Sequence, residues 1–244
     1  MSLTKIIQAQ LPLSVHDYMQ LCLQHPDYGY YRQARAVGAE GDFTTAPEIS
    51  QIFGDMIGLW LCDMAQKLQT NKAALVELGA GRGTLSADIL RHFSASELHL
   101  VESNVTLREI QANTLSAHQP QWHDTLDTLP TDTPLFFIAN EFFDALPVRQ
   151  WAGEEERMVN EQFEFTPKAE VTREDSPQSQ QMIAAVSQRL KAQGGALLMI
   201  DYGYSEGEKG DTLQAVKNHA YADPLKECGE VDLTAHVDFA ALGA

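Results

Sequence analysis

Basic residues are scarce in this chain. Lys and Arg together number 17 against 34 Asp and Glu, so its 244 residues carry a formal charge of −17. Sequence-independent binding of nucleic acid depends on cationic contacts to phosphate, and the excess of carboxylate argues against such a partner. The same excess suits a cationic substrate, and equally it suits plain solubility. Cysteine is sparse too: Cys22, Cys62 and Cys228 are odd in number, widely spaced and free of any C-x-x-C pair. That pattern excludes a disulfide framework and a cysteine zinc site. No two of the eight His stand in H-x-x-x-H spacing, so no metal is expected. Long apolar runs are also missing; residues 135–139 and 196–200 have the length of buried strands, far short of a membrane span. The N-terminus has neither a cationic start with an apolar core nor an Arg-rich presequence. These absences lead to the expectation of a metal-free cytoplasmic protein with no membrane partner, or one of the mitochondrial matrix if the source is eukaryotic.

What is present is an alternation of strand and helix signals. Ser14 and Asp17 make a capping box for a helix to about Gln24. A second helix is expected to start near Pro47, with a core stripe of Ile49, Ile52, Phe53, Met56, Ile57, Trp60, Leu61 and Met64. On that helix Gly54 and Gly58 mark close packing against a later glycine turn. Strands are expected at 73–78, 97–102, 120–123 and 134–140, with helices at 84–93 and about 105–117. Residues 148–165 read as strand or hairpin, 166–178 as loop, and 178–192 as helix before a strand ending at Asp201. The last forty residues show little periodicity. Such alternation implies an α/β fold, a mostly parallel sheet with helices on both faces. Residues 1–70 are read as an N-terminal helical extension and 71–244 as one Rossmann-like domain.

The strand at 73–78 ends in Gly79-Ala80-Gly81-Arg82-Gly83, and Glu102 closes the next strand. Glycines there permit positive φ and close backbone approach, and an acid at the second strand's tip can accept hydrogen bonds from a ribose diol. The spacing is G-x-G-x-G, with Thr84 where a dinucleotide fingerprint is completed. Glu77, inside the strand, would repel a pyrophosphate but suits an ammonium or sulfonium. S-adenosylmethionine carries both cations and no phosphate, so it is the expected cofactor, with Glu77, Gly79, Gly81, Gly83 and Glu102 around it. A nicotinamide oxidoreductase is the disfavoured alternative.

Two further strand ends carry chemistry. Asn140-Glu141-Phe142-Phe143-Asp144 follows the strand at 134–140, so its amide and carboxylates would stand over the reacting group. Asn140, Glu141 and Asp144 are the candidate catalytic residues, and Asn140 is counted with the cofactor site as well. The bland alternative is a loop with solvent-facing acids. Trp122-His123-Asp124 ends the third strand, where Asp124 could bind an adenine amino group and Trp122 could stack or sit in the core. Asp201 could line the same cleft or cap a turn.

Several blocks carry a family resemblance: residues 41–54, 77–85, 140–149, 200–203 and 232–239. Through them the chain resembles the MidA-type S-adenosylmethionine-dependent methyltransferases, which include a protein arginine methyltransferase of respiratory complex I assembly. The resemblance implies a class I methyltransferase fold and methyl transfer to an arginine ω-nitrogen of a protein substrate. It also implies that the loop with Phe43 and Thr45 covers the cofactor. Glu141 and Asp144, with Glu48 third, are the expected grip on a guanidinium. A non-catalytic assembly factor retaining the cofactor fold is the rival reading, and self-association into a homodimer stays open. Two departures stand out. Ala80 occupies a position where many members have Pro, and the chain stops at Ala244 where members run on well beyond the matching block. The second departure puts substrate recognition and dimerisation in doubt.

Overall fold

Five apolar runs become the strands of one parallel sheet in the computed structural model, which describes residues 2–32, 45–205 and 210–243. They are β1 (Ala74–Leu78), β2 (Leu98–Val101), β3 (Gln121–His123), β4 (Leu135–Asn140) and β5 (Gly195–Ile200). Their order is β5-β4-β1-β2-β3, and Glu77 stands in register between Leu100 on one side and Ile138 on the other. β1 is buried along its whole length, as a parallel strand covered on both faces must be. The chain steps outward from β1 to β3, then crosses back to place β4 on the other flank of β1. The reversal puts the turn after β1 and the loop after β4 side by side at the strands' carboxyl ends, where ligands bind in such sheets.

The helices packed around the sheet and beside it include α1 (Val15–Gln24), α2 (Gln51–Lys67), α3 (Thr84–Ile89), α4 (Val105–Thr114) and α5 (Pro177–Gln193). Side chains alternate across each strand, so Leu75, Leu98, Leu100, Phe136 and Ile138 pack beneath Ile57 and Leu61 of α2 and Leu85 and Ile89 of α3. Ala74, Val76, Leu78, Phe137 and Ala139 form the opposite core with Val186 of α5. The expected α/β architecture is therefore present. The cap expected at Ser14 is present, its Oγ accepting the Asp17 amide at 3.0 Å, and α4 is capped by Asn104, whose Oδ1 accepts the Thr106 amide at 2.9 Å.

Three expectations need correction. The helix near Pro47 is two helices, Ala46–Ile49 and α2, because Ser50 is extended (φ −152°) and caps the second with its own hydroxyl. The apolar stripe of this region is only half core. Ile57 and Leu61 are buried, whereas Ile49, Ile52 and Met56 are largely exposed, since α2 packs on α3 along its glycine face. Gly54 and Gly58 do allow close packing, but against α3 rather than the turn before it. A Cβ on Gly54 would lie 2.4 Å from Asp88 Cβ, and one on Gly58 would lie 2.8 Å from the Ile89 carbonyl oxygen.

A third core gathers Leu3, Ile7 and α1 around Val148, Val159, Ala215, Val231 and Leu233, drawing on both sides of residue 70. Cys22 and Cys228 are buried in it, while Cys62 on α2 is half-buried. The 148–165 region holds the expected hairpin, Arg149–Ala152 against Glu155–Glu156. The final forty residues contain a small antiparallel sheet, Gln214–Lys217 between Ala220–Tyr221 and Asp232–Thr234. These strands span two to four residues, too short to display a period of two in sequence.

The two faces of α2 predict opposite mutational outcomes. Leu61→Ala should cost about 2–5 kcal/mol in thermal or denaturant unfolding, as for a buried leucine. Ile52→Ala should leave stability within about 0.5 kcal/mol; a large loss there would mean that the exposed face is covered in solution.

Candidate active site

A cavity of about 920 Å³ opens along the carboxyl ends of β1, β2 and β4. Its walls include Thr45, Glu48, Glu77, Gly79, Gly81, Glu102, Asp124, Asn140, Glu141 and Asp144, so residues from five separate stretches of sequence meet in one hollow. Phe43, with Asp42 and Thr44, lies outside the described residues. Gly83 does not line the cavity: at φ +83° it caps α3 and backs onto Leu115 and Gln111. Gly79 and Gly81 also have positive φ, and a Cβ on Gly79 would lie 2.6 Å from the Phe142 ring. That close approach is what lets the loop after β4 lie over the turn after β1.

Glu77 is 3 % exposed, and the Ser86 hydroxyl of α3 donates to its Oε2. Burial pushes its carboxyl up to about 7, against the opposing hydrogen bonds from Ser86. Glu102 is held at both oxygens: the Asn104 amide donates to Oε1 at 2.8 Å, and Gln111 Nε2 lies 3.5 Å from Oε2. Burial raises its pKa as well. Asp124 stands at the cavity wall with its Oδ1 already engaged by Arg108 at 2.6 Å. Trp122 is absent from the cavity wall; its indole N–H donates to Gln111 Oε1 at 2.9 Å and the ring packs with the sheet core. The stacking role considered for it is therefore replaced by a structural one.

On the other side stands the loop after β4. Glu141 adopts φ +48°, a left-handed conformation rarely held by a non-glycine residue and often found at functional sites. Its carboxyl is raised by burial, and it receives hydrogen bonds from Asn140 Nδ2 at 3.4 Å and from the Ala46 backbone. Asn140 Oδ1 is buried with no partner among the described residues, an acceptor left for a ligand donor. Asp144 is 8 % exposed, and burial together with the charges of Asp201, Asp232 and Glu141 pushes its carboxyl well up. Asp201 settles as a turn cap: its Oδ2 accepts the amides of Phe142, Phe143 and Asp144 at 3.1, 2.9 and 3.3 Å. Glu48 accepts the Thr84 hydroxyl at 2.7 Å, joining the Ala46–Ile49 helix to α3.

Sequence reasoning missed several wall residues. Tyr31, Tyr202, Tyr221, Asp232 and His236 close the far side, with the Tyr31 hydroxyl donating to Asp232 Oδ1 at 2.8 Å. Asp232 and His236 stand in one of the blocks that carry the family resemblance, which was the available signal. Gln111, wholly buried beneath the turn, had none. Among the described residues no cluster of His, Cys, Asp and Glu is arranged to hold a metal ion, and no helix is long and apolar enough to cross a membrane.

Comparison with known proteins agrees with this geometry. A family-wide profile described as "Putative S-adenosyl-L-methionine-dependent methyltransferase" matches residues 56–169 and 156–244. The protein arginine methyltransferase NDUFAF7 homolog, mitochondrial, of Drosophila melanogaster is 33% identical over 98% of this chain and 68% of its own length. Its Homo sapiens counterpart is 34% identical over 97% and 66%. The chain thus spans about two thirds of the length of these curated relatives. The fly alignment runs over 300 positions, more than this chain's 244 residues, so part of that relative has no counterpart here. A Burkholderia thailandensis protein crystallised with S-adenosyl-homocysteine superposes with a TM-score of 0.82 over 98% of this chain and 74% of its own, at 24% identity, a likeness of fold. The relatives' names are mitochondrial and give no support to the cytoplasmic expectation. With profile matches running from residue 56 to 244 and relatives above 30% identity over nearly all of it, the chain belongs to the MidA-type family of S-adenosylmethionine-dependent methyltransferases.

Proposed function

We propose that this chain transfers the methyl group of S-adenosylmethionine to an ω-nitrogen of an arginine in a protein substrate. The observation that carries the reading is the pair Glu141 and Asp144, one half-buried and one buried carboxyl lining the same cavity, both with pKa values raised by burial. Buried acids of this kind favour a cation that delivers its own hydrogen-bond donors, and a guanidinium presents five in a planar fork. The names of the curated relatives support the same acceptor. A mitochondrial matrix setting, for a eukaryotic source, rests on those names alone.

In the reaction a guanidinium nitrogen attacks the methyl carbon opposite the sulfonium sulfur. The carbon–sulfur bond breaks, S-adenosylhomocysteine leaves neutral at sulfur, and the nitrogen sheds one proton to a nearby carboxylate. The chain's contribution is to hold the nucleophile in line and in one orientation, which supplies most of the acceleration in such a displacement. Asn140, with its unpartnered Oδ1, would accept a donor from either reactant. On the cofactor side, Glu77 would face the ammonium of the methionine end, and Glu102 the ribose diol.

Glu77 gives a pH test with two opposite signs. Between its ordinary value and about 7, the folded empty protein keeps the proton while the unfolded chain releases it. Stability from this group therefore falls as pH rises through that window. At pH 8 the buried charge disfavours the empty fold by up to about 3 kcal/mol, and Glu77→Gln should recover part of it. Affinity for S-adenosylmethionine runs the other way, because the ammonium needs the ionised acid; it should climb as pH rises toward 7, and Glu77→Gln should flatten the climb. Thermal unfolding of the empty protein and calorimetric titration of the ligand read the two curves, and parallel trends would remove Glu77 from the ammonium site.

Transfer itself is tested with proteins from cells lacking the gene, incubated with enzyme and methyl-labelled S-adenosylmethionine. Mass spectrometry should find new methylarginine, lost with Gly81→Val, which blocks the turn. Glu141→Gln should lower transfer by about 100-fold or more, the scale of losing an aligned electrostatic group, with cofactor affinity kept. Undiminished transfer by that variant would take Glu141 out of the guanidinium grip, and no methylarginine at all would favour the non-catalytic assembly factor.

A further inference from the structure

Gln111 lies on α4, away from every block that carries the family resemblance, yet its side chain is wholly buried. Its amide touches three parts of the cavity's adenosyl side. Nε2 donates to the Gly81 carbonyl at 2.8 Å and lies 3.5 Å from Glu102 Oε2, while Oε1 accepts the Trp122 indole N–H at 2.9 Å. An indole nitrogen can only donate, so Trp122 fixes which way the amide points. The oxygen must face the tryptophan, and both N–H groups are then directed at the turn and at the strand-end acid. Both of those partners are acceptors. A side chain of the same shape without the NH₂ group would face them with a lone pair instead.

We infer that Gln111 is the positioning residue of the cofactor site, setting the distance between the glycine turn and the Glu102 carboxylate, with Trp122 as the lock on its amide. The remaining contacts fit this role. The Asn104 amide holds Glu102 Oε1, and the Arg108 guanidinium donates to the Glu102 backbone carbonyl. Glu102 is thus fixed at its main chain and at one oxygen, and Gln111 governs the other. Gly83, the glycine that does not reach the cavity, has its own reason here: a Cβ on it would come within 3.0 Å of Leu115 Cδ1 and 3.6 Å of Gln111 Cγ. Its bareness makes room for α4 to come close enough for the Gln111 amide to reach Gly81.

The inference rests on S-adenosylmethionine as methyl donor, so the probe is S-adenosylhomocysteine, which has the same adenosyl end and is not consumed. Titrated calorimetrically at pH 8, the wild-type protein should bind it, and Gln111→Glu should bind at least about tenfold more weakly, the scale of a buried acceptor left facing another acceptor. The ratio of variant to wild-type affinity should narrow as pH is lowered, because a protonated carboxyl regains one donor toward Gly81 or Glu102. A residue that merely filled space would give a ratio independent of pH. Trp122→Phe removes the lock and should weaken binding by about threefold through the freed amide rotation. Wild-type-like affinity in a folded Gln111→Glu protein, or a deficit constant with pH, overturns the inference. Should that variant fail to fold, Trp122→Phe decides alone, and unchanged affinity in it overturns the inference too. Failure of the wild-type protein to bind the probe would instead overturn the cofactor reading on which this one stands.

Discussion

A carboxylate removed from water without a counter-charge is costly, by several kcal/mol for a fully buried ion. Among the described residues this cavity approaches that condition at Glu77, Glu102, Glu141 and Asp144, each with its pKa raised chiefly by burial. The opposing interactions come mainly from hydroxyls, amides and backbone N–H groups, with the Arg108 guanidinium adding a smaller counter-charge at Glu102. Such an arrangement stores a preference for cationic ligands. A sulfonium-bearing donor with a free ammonium, and a guanidinium acceptor, would together relieve it. The overall charge of −17 points the same way, but the decisive fact is where four of those carboxyls sit.

The loop that carries Glu141 and Asp144 is braced by Asp201, even though the charge of Asp201 adds to theirs. Its Oδ2 gathers three consecutive amides of the loop after β4, which ties the carboxyl end of β5 to that loop. With Phe142 and Phe143 drawn in by their backbones, Phe142 can lie against the bare Cα of Gly79. Glu141 is then forced into its left-handed conformation. Strain at that residue is the consequence of three hydrogen bonds and one close approach, and it aims the carboxyl into the hollow.

The glycine-turn half of the cavity was legible in the sequence for a physical reason. Residues 73–83 and 97–102 belong to adjacent βα units, where apolar runs, glycine spacing and a strand-end acid are all local in the chain. Glu77, Gly79, Gly81 and Glu102 therefore could be read in order and are found around one cavity. The misreadings arose where tertiary packing decided between equal local signals. Ile52 and Ile57 are the same residue on one helix, and only the approach of α3 along Gly54 and Gly58 determines which is buried. Trp122 could stack or pack, and a buried glutamine eleven residues earlier settled it. The far wall was opaque because its strands at 214–234 are too short to have a period.

The division between the two halves extends to their stability. The glycine-turn side is built on β1, β2 and β4, whose side chains fill two cores and whose pairs with β1 run over four and five residues. The far wall is built from Tyr31, Asp232 and the short strands of the third core, joined across long stretches of chain. Segments with few paired residues open locally at lower free energy than the central sheet. The geometry therefore sets the rigid elements on the glycine-turn side of the cavity and the loosely paired ones on its far wall.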